Sequence, residues 1–573
     1  MTEKKSQEVS GACCPAHQWS EEKEWLDRFE REHGRPLRIL HINNIANYAY
    51  VNAKLMRRHG IEADVLCNDF YHIMASPEWE DAVIHGEFGD EFRPDWSRVS
   101  VNGYSRPNWF AQGPLQLVYS YHLARKQKKF VKSAIVRRML EFYRMRLSSV
   151  DRVYPYVERI YRLKNRFLFR VYSDREKNES YKRAILRIVW SFLLEVFKSL
   201  SYLRQIAQKE PTGAMVSIRR WMACRFAAED SADVNEQDAR EDECRGEKVQ
   251  KSADIENDLT YYCTHIKRFQ ELFKYYDVIQ GYTTSAVYPL VAGVSNFTAY
   301  ELGTIRTIPF IDDLQGRVCA YTYKNAPGVF ITNVDCIEAA DRLKISKERR
   351  RVVPHAFDLD SAVAYQSTYA AATSADLPYF LAPARHHWKE GHDSWRKGND
   401  WIVRAAAELR KEGFGFKVVF VEWGQEVEET KKLIRELGLE EVFEWKRPMS
   451  KKALWPTYME AVAVIDQFVA PAMGGVALDA MALGRALITR LDEPSCKLFF
   501  GSVPPLMNVK NVAELRDAMR KVLLDPESAD QCGKECQEWM KNFHSVEQGL
   551  AAQLNMYRSM LSTSAVETLS SKA

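Results

Sequence analysis

The chain of 573 residues has eleven cysteines but no Cys-x-x-Cys pair and no zinc spacing. In a chain this long, such cysteines read as free thiols of a reducing compartment, not as a disulfide framework. No long apolar run is uninterrupted. The nearest, 185–203, is broken by Arg187, Glu195 and Lys198, so no transmembrane span is expected. The opening MTEKKSQEVSGACCPAHQW lacks an apolar core, so a cytoplasmic rather than a secreted protein is expected. There is no Gly-x-Gly-x-x-Gly, so an α/β pattern here does not imply a dinucleotide. Tandem repeats and RNA-binding motifs are missing as well, and no nucleic-acid partner is expected.

What is present is a globular composition, 46% hydrophobic and 12% aromatic, long enough for two or three domains. The net charge is only +4 but unevenly spread. Residues 122–209 hold 23 Lys/Arg against 7 Asp/Glu (+16), and residues 229–258 hold 12 acidic against 4 basic residues (−8). The basic stretch interleaves its cations with Trp190, Phe192, Leu193 and Phe197. It reads either as a surface for anionic lipid headgroups or as a helical hairpin packed on the body with a solvated basic face.

Residues 1–35 form a polar leader with a helix around 21–33. A strand begins at Leu37 (LRILHINN), a helix follows over 46–59, and 61–67 is the next strand, a Rossmann-like opening. This first part of an N-terminal domain spans 36–114. Residues 115–225 break the rhythm as a basic helical insertion, and 226–258 read as an acidic flexible linker. The domain resumes over 259–372, with strands at 276–281, 297–306 and 328–333. A C-terminal domain over 373–545 alternates strands (379–382, 417–422, 442–445, 463–465) with helices opening at Gly398 and spanning 426–437 and 451–459. Residues 546–573 are left as a tail.

The densest functional signal is 464–484, VIDQFVAPAMGGVALDAMALG. A buried strand ends at Ile465, a turn containing Gly474 and Gly475 spans 466–475, and a helix over 476–483 carries Asp479. The glycines permit close approach of a ligand, a helix start offers N–H groups to phosphate, and a carboxylate accepts hydrogen bonds from sugar hydroxyls. The run resembles the donor-site motif of retaining glycosyltransferases of the GT-B fold, family 4. There a Glu, seven residues and a second Glu lead into "AMA.G.PVI". Here the second acidic position is Asp479 and the first falls on Pro471, which cannot touch a donor sugar. Asp466-Gln467-Phe468 is the candidate replacement. The resemblance covers roughly 260–500 and 37–80 and implies an α/β, GT-B architecture, two facing Rossmann-like domains with a helical insertion in the first.

The same resemblance assigns further roles. Arg385 and Lys397-Gly398 match the family's Arg…Lys-Gly loop, whose cations stabilise charge on a departing diphosphate, and are the catalytic candidates; Arg396 is a rival for the arginine. His386, His387, His392 and Asp393 lie between them at no standard metal spacing. Asn43, Asn44 and Asn47 occupy the first loop, where the family contacts diphosphate, and asparagine tolerates left-handed backbone. Glu301 and Arg306 (ELGTIR) and His72, Glu78 and Trp79 (YHIMASPEWED) are acceptor or cleft residues; an internal ion pair is the plain alternative for Glu301 and Arg306. His355 and Asp358 (PHAFD) match the domain-crossing motif. Glu422-Trp423-Gly424 and Trp445-Lys446-Arg447-Pro448 either neighbour the nucleobase or are ordinary loops.

The implied function is sugar transfer from a nucleotide-diphosphate sugar to a glycan or lipid-linked acceptor. It would proceed with retention, without metal or bound cofactor, in the cytoplasm or peripherally on an anionic membrane's inner face. The competing reading is an inactive GT-B sugar-binding scaffold, favoured by Pro471. Other GT-B chemistry, an epimerase or phosphorylase, is the remaining rival.

Overall fold

Short apolar runs, each ended by a polar turn, build two separate parallel sheets. The computed structural model describes residues 16–68, 70–84, 88–145, 255–369, 377–389 and 396–570. The first sheet holds β1 (Arg38–Ile42), β2 (Glu62–Asn68), β3 (Phe110–Gly113), β4 (Val278–Tyr282), β5 (Phe297–Tyr300), β6 (Gly328–Ile331) and β7 (Arg350–Val352). Their order is β3-β2-β1-β4-β5-β6-β7. Register sets His41 beside Val65 on one side and Gln280 on the other. Both faces are buried. Leu40 and Ile42 join Ile279 and Val329 in one cluster, while Ile39 joins Val65, Tyr282 and Phe330 in another. A strand covered on both faces needs apolar residues at successive positions, which is why these segments read as runs.

The second sheet holds β8 (Tyr379–Ala382), β9 (Lys417–Val421), β10 (Phe443–Lys446), β11 (Ala463–Ile465), β12 (Leu487–Thr489) and β13 (Met507–Asn508), in the order β10-β9-β8-β11-β12-β13. Strand order reverses between β1 and β4 in the first sheet and between β8 and β11 in the second. Such reversals open a crevice at the carboxyl ends of the strands, where ligands of open α/β sheets bind. No helix among the described residues is long and apolar enough to cross a membrane.

Three stretches differ from expectation. Residues 115–145, expected as the start of the insertion, belong to the body of the first domain. Helix Leu115–Lys126 lies on the sheet, with His122 Nε2 3.0 Å from the Val65 carbonyl. Arg125 and Lys126 reach the buried Asp64 at 3.0 and 2.9 Å, so part of the basic excess is neutralised internally. Residues 146–225 of that insertion, with Trp190 and Phe197, lie outside the described residues, as do 226–254 of the expected linker. Its described end, 255–258, opens the helix Ile255–Cys263. The expected tail instead forms the helix Val546–Ser570, which returns to the first sheet. There Gln553 donates to Asn52 (3.0 Å), Tyr557 donates to Gln280, and Arg558 pairs with Glu22 (2.8 Å).

Candidate active site

The carboxyl end of β8 leads to Arg385, and the chain returns at Lys397-Gly398 to start the helix Asn399–Lys411. Gly398 has φ +80°, a left-handed conformation that favours glycine, and an added Cβ would meet the Phe468 ring at 3.4 Å. The Phe468 N–H donates to the Lys397 carbonyl (2.9 Å), lacing this turn to the end of β11. The Lys397 ammonium donates to Gln467 Oε1. Burial lowers its pKa, the neighbouring Asp466 opposes that, and Arg385 and Arg306 lower it further. Arg385 is thus an electrostatic neighbour of Lys397, and Arg396 one of Asp400.

Asp466 is buried at the end of β11. Desolvation raises its pKa to about 6, offset by Lys397 and by backbone N–H groups of Ala477 and Gln467. Its Oδ2 has no hydrogen-bond partner, and it lies 3.6 Å from where a side chain on Gly474 would begin. A carboxylate oxygen left bare at such depth costs free energy unless a ligand satisfies it. Gly474 and Gly475 open the helix Gly475–Ala482, and Gly475 is exposed at its start. Asp479 lies one turn on, buried, with burial pushing its pKa up to about 6. Trp455 Nε1 donates to it at 3.3 Å and Lys451 Nζ stands 3.6 Å away.

The opposite wall comes from the first domain. Asn43, Ala46 and Asn47 all have positive φ in the loop after β1. Asn44 donates to Asn47 (3.0 Å) and to the Ala75 carbonyl (2.7 Å), and Asn47 donates to Ser76. These two asparagines therefore hold the loop, and only Asn43, half-buried, stands at its edge. Glu301 ends β5 fully buried; desolvation lifts its pKa to about 7, although Asn333 and the Gly303 N–H donate to it. Arg306 pairs with Asp335, not with Glu301, so the expected alternative of a direct pair between them is not what forms. His355 Nε2 lies 3.2 Å from Asn333 Oδ1, and its ring stacks on Tyr48 at 4.8 Å; burial lowers its pKa to about 3, holding it neutral. His72 accepts from the Met74 N–H and faces Glu91 at 3.7 Å; Glu91 in turn lies 3.6 Å from Arg385.

Several sequence candidates serve structure instead. Asp358 caps the helix Leu359–Thr368 and takes both Arg58 nitrogens at 2.6 and 2.7 Å. Glu78 is buried between Arg106 and Arg144. His386 donates to or accepts from Thr430 and packs on Phe420 and Trp445, while His392 and Asp393 lie outside the described residues. Among the described residues no three metal-binding side chains converge. Trp423 stacks on Trp79 across the two domains (5.6 Å).

Lys451 escaped the sequence reading. It pairs with Glu80 of the first domain (2.9 Å), faces Asp479, and lies 4.2 Å from the Phe357 ring centre. Two lysines opening a helix, as Lys451 and Lys452 do, oppose its dipole. That anomaly was the available signal. Ser450, just before them, donates to Ala82 O (2.6 Å) and accepts from the Ile84 N–H (2.9 Å), fastening this helix start to the first domain.

Residues 391–539 match a family model described as glycosyl transferases group 1. No curated protein matches the chain. Similar solved structures include HepE of Anabaena in complex with UDP, at 16% identity over 55% of this chain and 84% of that one, with a TM-score of 0.40. A glycosyltransferase from Rickettsia africae gives 14%, 55%, 84% and 0.39. Sucrose-phosphate synthase of Thermosynechococcus elongatus gives 20%, 63%, 94% and 0.36. Two Rossmann-like parallel sheets, the second carrying the group 1 match, make this the GT-B fold.

Proposed function

We propose that this cleft transfers a sugar from a nucleoside-diphosphate sugar to an acceptor hydroxyl on a glycan or a lipid-linked glycan. One observation carries the reading. Lys397 lies half-buried within electrostatic reach of Arg385 and Arg306, at the carboxyl ends of strands, beside an open helix start. An ammonium whose charged form is disfavoured by desolvation and by neighbouring cations is stabilised by a polyanion, and a diphosphate supplies one.

In this reading Lys397 and Arg385 neutralise charge growing on the departing β-phosphate. Asp479 accepts from donor hydroxyls once Lys451 yields to them, and the bare Oδ2 of Asp466 accepts from the donor sugar in place of the glutamate that Pro471 lacks. The acceptor oxygen bonds to the anomeric carbon as the bond to the phosphate oxygen breaks, and the acceptor's proton passes to that phosphate oxygen. Asn43, Gly398, Gln467 and the two glycines line the donor, with His72, Glu301, Arg306 and His355 on the acceptor side. Retention and independence of metal follow from the family resemblance.

A thermal-shift panel of UDP-, GDP-, ADP- and CMP-sugars tests the donor class, since a ligand at 100 times its Kd stabilises by about 2.7 kcal/mol. No shift with any of them would sink the reading. Pro471 favours a second reading, a sugar-binding scaffold without turnover. A donor that shifts the melting temperature, yet is neither hydrolysed nor transferred, would select it.

A further inference from the structure

The helix Phe130–Met145 has two apolar faces, and the protein body covers one of them. Val136 and Leu140 are buried against β3 and the helix Leu115–Lys126. On the opposite side Val131, Ile135 and Met139 recur every fourth residue, which makes them one stripe along the helix. They are 76%, 56% and 49% exposed, and Phe130 at the helix start is 73% exposed. A helix on a water-facing surface ordinarily puts charge along that line. Charge borders the stripe instead: Lys128, Lys129, Lys132 and Arg138 are all exposed around it. The single acidic residue of the helix, Glu141, is paired with Arg137 at 3.2 Å.

An apolar stripe bordered by cations matches an interface in which acyl chains lie beneath anionic headgroups. We propose that this face binds the surface of an anionic lipid bilayer. The charge distribution disfavours the other occupants. A second copy would press the same cations against themselves. Residues 146–209 carry the same sign, 15 Lys/Arg against 6 Asp/Glu. The acidic stretch 229–258 has the opposite sign but contains no aromatic, leucine or methionine to cover the stripe.

The position of the helix gives the contact a consequence. Arg144, in its last turn, lies 3.2 Å from Glu78, which shares a short helix with Glu80, the partner of Lys451. Tyr143 tilts over Tyr71, next to His72. A bilayer on this face lies close to the acceptor wall, where a lipid-linked acceptor would enter. That last point rests on the proposed glycosyl transfer; the membrane contact does not.

The test is flotation of the full chain with vesicles of phosphatidylcholine, alone or with about 30% phosphatidylglycerol, at low ionic strength and at about 0.5 M salt. Binding is expected to the anionic vesicles only, and to be lost in salt. Each cation near such a surface is worth about fivefold in partitioning, so Lys128→Gln/Lys129→Gln/Lys132→Gln is expected to weaken it roughly a hundredfold. Val131→Gln/Ile135→Gln is expected to weaken binding while leaving its salt dependence. Both variants alter exposed side chains, so melting temperature and donor-induced shift should match the wild type, which separates this test from that of the donor site. Undiminished binding in both variants would move the lipid contact elsewhere and overturn the proposal. Absence of binding would overturn it too. A molar mass that falls on Val131→Gln/Ile135→Gln would then identify a second copy as the occupant.

Discussion

Asp358, buried, and Lys397, half-buried, are charges beside the same cleft, and their surroundings differ in kind. Asp358 is enclosed by Arg58, by Lys54 at 2.9 Å, and by the helix start it caps. Lys54 continues to Asp81 at 2.7 Å, and Asp81 to Lys452 at 2.9 Å. Opposite charges alternate, and the arrangement holds Asp358 well below the usual carboxylate range. Around Lys397 the pattern is reversed. Cations lie near cations, even though Arg306 has Asp335 and Arg385 has Glu91; desolvation depresses the ammonium, and Asp466, the carboxylate beside Lys397, keeps an oxygen bare. The first cluster is complete in the protein alone. The second leaves a carboxylate oxygen unsatisfied. A satisfied network argues for structure, and an unsatisfied one for a ligand.

The sharpest way to break this contrast is to exchange the expected losses. Asp358→Ala leaves two cations without their partner and should cost about 3–5 kcal/mol of stability in urea unfolding. A change below 1 kcal/mol would show that the alternating network contributes little. Lys397→Ala should leave stability near or above the wild-type value but lower turnover by roughly 10²-fold or more, about 2.7 kcal/mol. Equal loss of stability in both variants would erase the distinction.

Glu301 gives a pH test on the acceptor wall. Its pKa rises from 4.5 to about 7 on folding, so between these values the folded state holds the proton more tightly than the unfolded one. Its contribution to stability is therefore present at acid pH and lost as pH rises through about 7. Glu301→Gln should be more stable than wild type by roughly 3 kcal/mol at pH 8 and by less than about 1 kcal/mol at pH 5. Parallel stability curves would mean that the ionised carboxylate is fully solvated by its neighbours. Asp479→Asn, which keeps the size of the side chain, should weaken donor binding about tenfold by calorimetry, as loss of a charge-assisted hydrogen bond predicts. Last, a chelator should leave the rate unchanged. Loss of activity restored by magnesium or manganese would overturn the metal-free reading.

The sequence made the central strands and the donor turn legible, because both depend on local pattern. A run such as RILHI needs only its own residues to declare a strand buried on both faces. In the first sheet the strands that escaped notice, β3 and β7, are its two edges; in the second, β12 and β13 escaped as well, at three and two residues too short to show a period. Edges are short and tolerate charge, as Arg350-Arg351 shows, so they lose the apolar signature. Of the candidate site, Lys397, Asp466, Gly475 and Asp479 were legible because chemistry and spacing coincide in one stretch. Lys451 and Tyr48 were not, because their partners, Glu80 on the other domain and His355, lie far away in sequence. His386 lies in the loop between Arg385 and Lys397, yet its packing on Phe420 and Trp445 makes it a core residue, and only tertiary packing shows that.

The helix Val546–Ser570 bears on how the chain is made. The amides of Asn52 and Gln280 lie in the core of the first domain, and both find partners on that helix. During synthesis more than 260 residues separate Gln280 from Gln553 and Tyr557. Until those later side chains emerge from the ribosome, the first domain keeps polar groups of its sheet waiting. The second domain, 377–543 in continuous sequence, has no such delay. Vectorial translation ordinarily completes domains in the order they are made; here the first to appear is the last to close.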